Sequence, residues 1–390
     1  MTASTSAAPN AGVNAGVNAG PPQAGTDPLG GGSAASGKPG PRKTRPGNFF
    51  EDFRLGQHLV HAPARTVTAG DVAVYQALFG SRFAVNSSDP FARALGLPGA
   101  PIDSMLAFHL VFGRTVADVS LNAIANLGYA DCRFGVPLYP GDTIVSDSRV
   151  VGLRQNKDGK TGVVYVHSTG VNQRGETVLD FRRWVMVRKF DLDAPAPEVV
   201  IPALPDAVPV HELHCPYSLA PGAYDTLRSG SEFLWDDYTV GERIDHVDGM
   251  TIEEAEHMLA TKLYQNTAKV HFNQHVEREG RFGKRIVYGG HVISLARALS
   301  FNGLANALCV AAIHGGRHAA PSFAGDTLYA WSEVLACDAL PDRKDIGALR
   351  VRTVATKDQA CADFPGHDAA VADPAVVLDL DYTVLMPRRS

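Results

Sequence analysis

The chain has 390 residues, 45% hydrophobic and 20% charged, which excludes fibrous and wholly disordered classes and leaves room for two or three domains or one duplicated unit. A formal charge of −5 offers no broad basic face, which argues against nucleic acid as a partner and means an anionic ligand must be met by a few placed cations. Five cysteines without a C-x-x-C pair argue against a disulfide framework and fit a reducing cytoplasm, and no run reaches the ~18 apolar residues of a membrane span.

Residues 1–47 are mostly Ala, Gly, Pro, Asn and Ser, with a tandem AGVNAGVNAG; such a segment cannot offset its ordering entropy by burial and reads as a solvated, disordered tail. In residues 48–190, Met105, Leu106, His109 and Leu110 recur at helical spacing and predict one central helix. The β-rich runs that follow, at 143–151, 162–167 and 181–187, are separated by Gly, Asn and Asp turns and predict strands. Residues 191–231 are proline-rich and form a connector. In residues 232–390 the pattern returns: Val292, Leu295 and Leu299 mark a second helix, and 381–386 a closing strand.

The return is literal. Pro137-Leu-Tyr-Pro-Gly-Asp-Thr-Ile144 reappears as Pro321-Ser-Phe-Ala-Gly-Asp-Thr-Leu328, with Asn122/Asn306 and Arg133/Arg317 in step at an offset of about 184. Val178-Leu-Asp180 matches Val377-Leu-Asp379 at about 199, because a polar insertion near 358–374 lengthens the second copy. Two homologous domains, 48–190 and 232–390, follow, each a helix succeeded by strands. That order favours an antiparallel sheet in an α+β class over a doubly wound one. Asp142 and Asp326, present in both copies, read as turn residues, and the paired Arg133 and Arg317 as structural ion-pair or capping groups.

Two phrases of the second copy carry chemistry: Tyr264-Gln-Asn-Thr-Ala-Lys-Val-His271, and Arg285-Ile-Val-Tyr-Gly-Gly-His291 leading into the helix. Together they resemble the MaoC-type, R-specific enoyl-CoA hydratases, and in particular their mesaconyl-CoA (2-methylfumaryl-CoA) hydratase branch. The resemblance implies a double hotdog fold, two tandem domains each with a long central helix wrapped by an antiparallel sheet. It further implies reversible hydration of a branched enoyl-CoA, with coenzyme A as part of the substrate and no separate cofactor, in a homo-oligomer. On the family motif His271 falls on the catalytic histidine, Asn266 on the catalytic aspartate, and Gly289 on the glycine that helps bind the thioester oxygen. The first copy holds Asn86, Ser81 and Ser104 there, so it is expected to be non-catalytic.

Hydrating an α,β-unsaturated thioester needs a base for water, an acid for Cα and donors for the enolate oxygen. His271 can exchange the proton, and backbone N–H groups of Gly289 and Gly290 at a helix start can meet the oxygen. Asn266 is an amide, so it can orient water but not deprotonate it; Asp103 or Glu277 would be candidates for a replacement carboxylate. Tyr264, Gln265, Arg82, Lys269, Asp103 and Gly290 are candidate substrate contacts, with Arg82 and Lys269 offered for the free carboxylate and Lys284 or Arg285 for the coenzyme phosphates. His291, His314 and His318 have no motif support, and no spacing predicts a metal site. The alternatives are a hotdog thioesterase and a catalytically inactive acyl-CoA-binding partner.

Overall fold

The computed structural model describes residues 43–216, 218–368 and 371–389, so all but the last five residues of the predicted tail lie outside the described residues. Ten strands form one sheet: β1 (His58–Thr66), β2 (Ala123–Phe134), β3 (Thr143–Gln155), β4 (Thr161–Val171), β5 (Thr177–Arg188), β6 (Arg243–Thr251), β7 (Cys309–His318), β8 (Thr327–Ala339), β9 (Ile346–Lys357) and β10 (Val376–Pro387). Their order is β1-β3-β4-β5-β2-β7-β10-β9-β8-β6, with every neighbouring pair antiparallel. The order is a palindrome of two five-stranded halves, β1-β3-β4-β5-β2 and β6-β8-β9-β10-β7, joined where β2 pairs with β7 through Tyr129↔Gly316 and Cys132↔Ile313.

The sequence repeat is thus a repeat of register. His58 pairs with Arg149 and Arg243 with Glu333; Tyr129 pairs with Arg183 and Ile313 with Tyr382. Buried side-chain bonds repeat too: His61 Nε2 meets Ser148 Oγ at 2.7 Å, and its counterpart His246 Nε2 meets Ser332 Oγ at 2.8 Å. Asp142 and Asp326 accept from the backbone N–H of Tyr139 and Phe323 at 2.9 and 2.8 Å, each closing the turn before its strand.

Two helices, Ser104–Thr115 and Gly289–Leu299, are buried on every side, Met105 to Thr115 in the first and Gly290 to Leu299 in the second. A helix apolar all round needs cover on all faces, and a sheet wrapped around it supplies that cover. Asp103 caps the first helix, accepting from Met105 N–H at 2.8 Å. Gly113, near its end, lets the Tyr264 backbone close in: a Cβ there would stand 1.8 Å from the Tyr264 carbonyl oxygen. Fully burying each Leu, Val or Phe of this core contributes roughly 1.5–3 kcal/mol.

Among its described residues, the proline-rich stretch 191–231 contributes no full strand, only an isolated bridge from Val200 to Leu153. It is nevertheless docked. Val208 N–H donates to His314 Nδ1 at 2.9 Å, Glu212 pairs with Arg133 at 2.8 Å, and Leu219 is buried with Leu95 and Leu308. The insertion between β9 and β10 is likewise anchored, since Trp331 Nε1 donates to Pro365 O at 2.9 Å and Cys361 is buried beside it.

Candidate active site

The segment between residues 264 and 291 carries both motif phrases to one place. Gln265 sits at φ +54°, turning the chain after the helix Glu254–Leu263. Asn266 Oδ1 then accepts from Ala268 N–H at 3.0 Å, an Asx-type turn that launches the short helical turn Lys269–Phe272 with His271 on it. His271 is half-buried and its Nδ1 lies 3.0 Å from the carbonyl of Ile286. A carbonyl only accepts, so Nδ1 carries the proton and Nε2 is left with its lone pair. Burial, followed by nearby His257, pulls the His271 pKa down to about 4 against the opposing Ile286 bond, so the ring is a neutral base at pH 7.

His271, Asn266 and Gly289 line a single cleft of about 260 Å3. Gly289 opens the helix Gly289–Leu299, whose first-turn N–H groups have no acceptor within the helix. A Cβ on Gly289 would fall 2.4 Å from His318 Nε2, so only glycine lets that ring lie against the helix start. The arrangement offers a neutral base, a second polar side chain and oriented N–H donors around one space, the set that proton exchange beside a developing oxyanion requires. Among the described residues, no Asp or Glu lines the cleft.

The other residues singled out from sequence lie elsewhere. Tyr264 is fully buried, its ring 4.7 Å from that of His109 and its hydroxyl 3.4 Å from Ser294 Oγ. Gln265 lines a neighbouring groove together with Lys262 and Arg114, and Asn266 stands on the wall between that groove and the cleft. Asp103 is committed to the helix cap and to Ser81 Oγ at 3.1 Å. Arg82 is exposed and stacks 4.6 Å over Phe301, and Lys269 is exposed on the short turn. Gly290 is buried under Tyr288 and His109. Glu277 does not line the cleft, Lys284 lies 4.2 Å over the Phe323 ring, and Arg285 pairs with Glu254.

Several cleft residues carry no sequence motif. Tyr129, on β2, places its hydroxyl 3.3 Å from His318 Nε2. Asn126, Ser120 and Arg183 form a polar patch contributed by the first half. Repeat comparison carries a signal for each: Asn126, Tyr129, Arg183 and His318 match Val310, Ile313, Tyr382 and Phe134 in the aligned registers.

The matching space beside Asn86 and Ser104 is a small pocket of about 60 Å3 lined by Phe134, Leu138, Leu308 and Val310, with Pro216 and Leu219 of the connector against it. Asn86 Nδ2 donates to Pro101 O and Ile102 O at 3.1 and 3.3 Å, reproducing the His271 anchor without a base. Polar groups of one cleft thus answer to apolar groups of its twin.

The MaoC-like domain family matches residues 52–172, spanning β1 to β4. A curated relative from Chloroflexus aurantiacus, β-methylmalyl-CoA dehydratase, is 72% identical over 348 residues, covering 89% of this chain and 99% of its own length. Mesaconyl-CoA hydratase from Cereibacter sphaeroides is 54% identical over 346 residues, covering 89% and 100%. A solved MaoC-domain dehydratase from Chloroflexus aurantiacus superposes with a TM-score of 0.88 at 70% identity, over 90% of this chain and 100% of that one. A Mycobacterium tuberculosis protein with a double hotdog fold gives 0.67 at 25% identity, over 88% and 99%. Repeat, sheet order and these likenesses agree that the chain is a double hotdog protein and belongs to the MaoC-like family of dehydratases and hydratases.

Proposed function

We propose that the chain catalyses the reversible addition of water to mesaconyl-CoA (2-methylfumaryl-CoA), giving β-methylmalyl-CoA, in the cleft beside His271. The carrying observation is a neutral histidine, tautomer fixed by Ile286 O, facing the same space as the Gly289 helix start. The relatives named for this pair of compounds support the choice of substrate.

Water held between His271 Nε2 and Asn266 Nδ2 attacks Cβ as Nε2 takes one of its protons. The C=C electron pair moves onto the thioester, and the enolate oxygen is met by the N–H of Gly289 at the positive end of the helix dipole. Collapse of the enolate returns the proton from Nε2 to Cα. One water has then been added and the histidine is neutral again. Asn266 positions water, and its Nδ2, free of any hydrogen bond among the described residues, is the donor available for that role. No metal or further cofactor enters this scheme, which we place in a cytoplasmic homo-oligomer.

The direct test is product analysis after incubation with mesaconyl-CoA. A hydrated acyl-CoA with no release of free thiol supports the reading. Free thiol without hydrated product would replace it with thioester hydrolysis, and tight binding without turnover with an inactive acyl-CoA-binding partner.

A further inference from the structure

Arg183 is 1% exposed and, like the other buried arginines Arg114 and Arg297, makes no ion pair with any described residue, whereas the half-buried Arg65, Arg182, Arg350 and Arg352 do. Leaving a guanidinium inside a protein without an anion is costly unless a ligand supplies one. Its Nη2 donates to Thr115 Oγ1 at 2.6 Å and to Ser120 Oγ at 3.3 Å, and its plane lies 4.2 Å over the Phe112 ring. Those contacts hold the group in place but leave Nη1 and Nε without an acceptor, Nε being fully buried. Burial pulls its pKa down to about 10, so it remains a cation at pH 7.

Beside it in the cleft, Asn126 has both amide atoms buried and unbonded. Two neighbouring side chains with unused hydrogen-bond donors, one of them cationic, therefore share the space that His271 and Gly289 line. The twin half shows that the fold itself does not require them. At the matching registers, where Val310 pairs with Val384 as Asn126 pairs with Val185, the residues are Val310 and Tyr382.

We propose that Arg183 and Asn126 form the subsite for the free carboxylate of the substrate, with the guanidinium as the charge partner and the Asn126 amide as a second donor. This rests on the hydration reading, in which the carboxylate is bonded to Cβ, the carbon that water attacks. Neutralising it there relieves the repulsion between that anion and the incoming water oxygen, and fixes Cβ relative to Nε2. A bond from a charged donor to a carboxylate corresponds to about a 10- to 100-fold difference in affinity.

The test compares binding of 2-methylsuccinyl-CoA with that of 2-methylbutyryl-CoA, unreactive ligands that differ by a carboxylate in place of a methyl, by calorimetry on the full chain. The native protein should favour the carboxylate ligand by 10-fold or more. Arg183→Gln should erase the preference, Arg183→Lys should restore part of it, and Asn126→Ala, at a half-buried cleft position whose amide makes no hydrogen bond among the described residues, should reduce it several-fold. If Arg183→Gln and Asn126→Ala weaken both ligands equally, or leave the preference intact, the subsite is overturned and Arg183 only braces the helix end. Failure of the native chain to hydrate mesaconyl-CoA while it keeps the carboxylate preference would overturn the reaction and uphold the subsite.

Discussion

At the scale of single residues, the site depends on burial acting on protonation. His271 is held neutral by desolvation, with a pKa near 4 instead of 6.5, so its base form persists well into mild acid. Initial-rate kcat/KM for hydration should therefore stay flat from pH 8 to about 5.5; a half-drop near 6.5 would show a solvent-exposed imidazole instead. Gly289→Ala places a methyl where His318 Nε2 now lies, 2.4 Å from the new Cβ. Displacing that ring and the helix start by a fraction of an ångström should lower kcat about 10²-fold with a modest change in melting temperature, measured on the same preparation. His271 and Gly289 were singled out in the sequence because they fall on positions of the motif of the family the two phrases resemble, and the structure brings both to one cleft. Arg183 was not, because it sits in Phe181-Arg-Arg-Trp184, where one arginine looks like the next. Strand alternation separates them: Arg182 pairs with Asp131 on one face, while Arg183 shares the inward face with Phe181 and Val185.

At the scale of elements, the two central helices and the turns that feed them set the cleft. Both helices could be read from apolar spacing, and their burial on every side follows from having a sheet on one side and each other's surroundings on the rest. The tight approach of the Tyr264 backbone to Gly113 left no mark in the sequence, since a glycine near a helix end reads as an ordinary stop. It has a measurable consequence. Gly113→Ala requires the chain at Tyr264 to move, and should cost about 2 kcal/mol or more by denaturant titration, with activity falling because Asn266 follows immediately in the chain. The connector 191–231 was expected from its prolines to be a joining segment; its docking through Glu212, Val208 and Leu219 depends on partners far away in sequence.

At the scale of the whole molecule, duplication followed by divergence explains most of what is seen. The repeat was legible because one phrase occurs twice in step, and it gave the two tandem domains, while the hotdog fold came with the family resemblance. The continuous ten-stranded sheet was not, since the β2–β7 pairing that joins the halves is a tertiary contact with no local signature. Among the described residues, burial also lowers the pKa values of six histidines, four in the core and two lining the cleft, to between about 3 and about 4: His109, His246, His291 and His314, with His271 and His318. In the unfolded chain these groups bind protons near pH 6.5, whereas in the folded protein they do not. Stability is therefore fully present above about 6.5 and is lost as pH falls through the window down to about 4, each group contributing up to about 1.4 kcal/mol per pH unit. His167, raised by its bond to Asp180, opposes this with a single group. The melting temperature should be level from pH 8 to 7 and drop on the order of 10 °C by pH 5; a level profile to pH 5 would mean these rings are solvated.

The central claim is that one cleft of the duplicated fold, the one holding His271, performs the chemistry. Its most direct test is kcat for hydration of mesaconyl-CoA by His271→Ala, with folding checked by melting temperature. A fall of roughly 10²–10⁴-fold in a folded variant is the predicted result, and a rate equal to that of the native chain would contradict it.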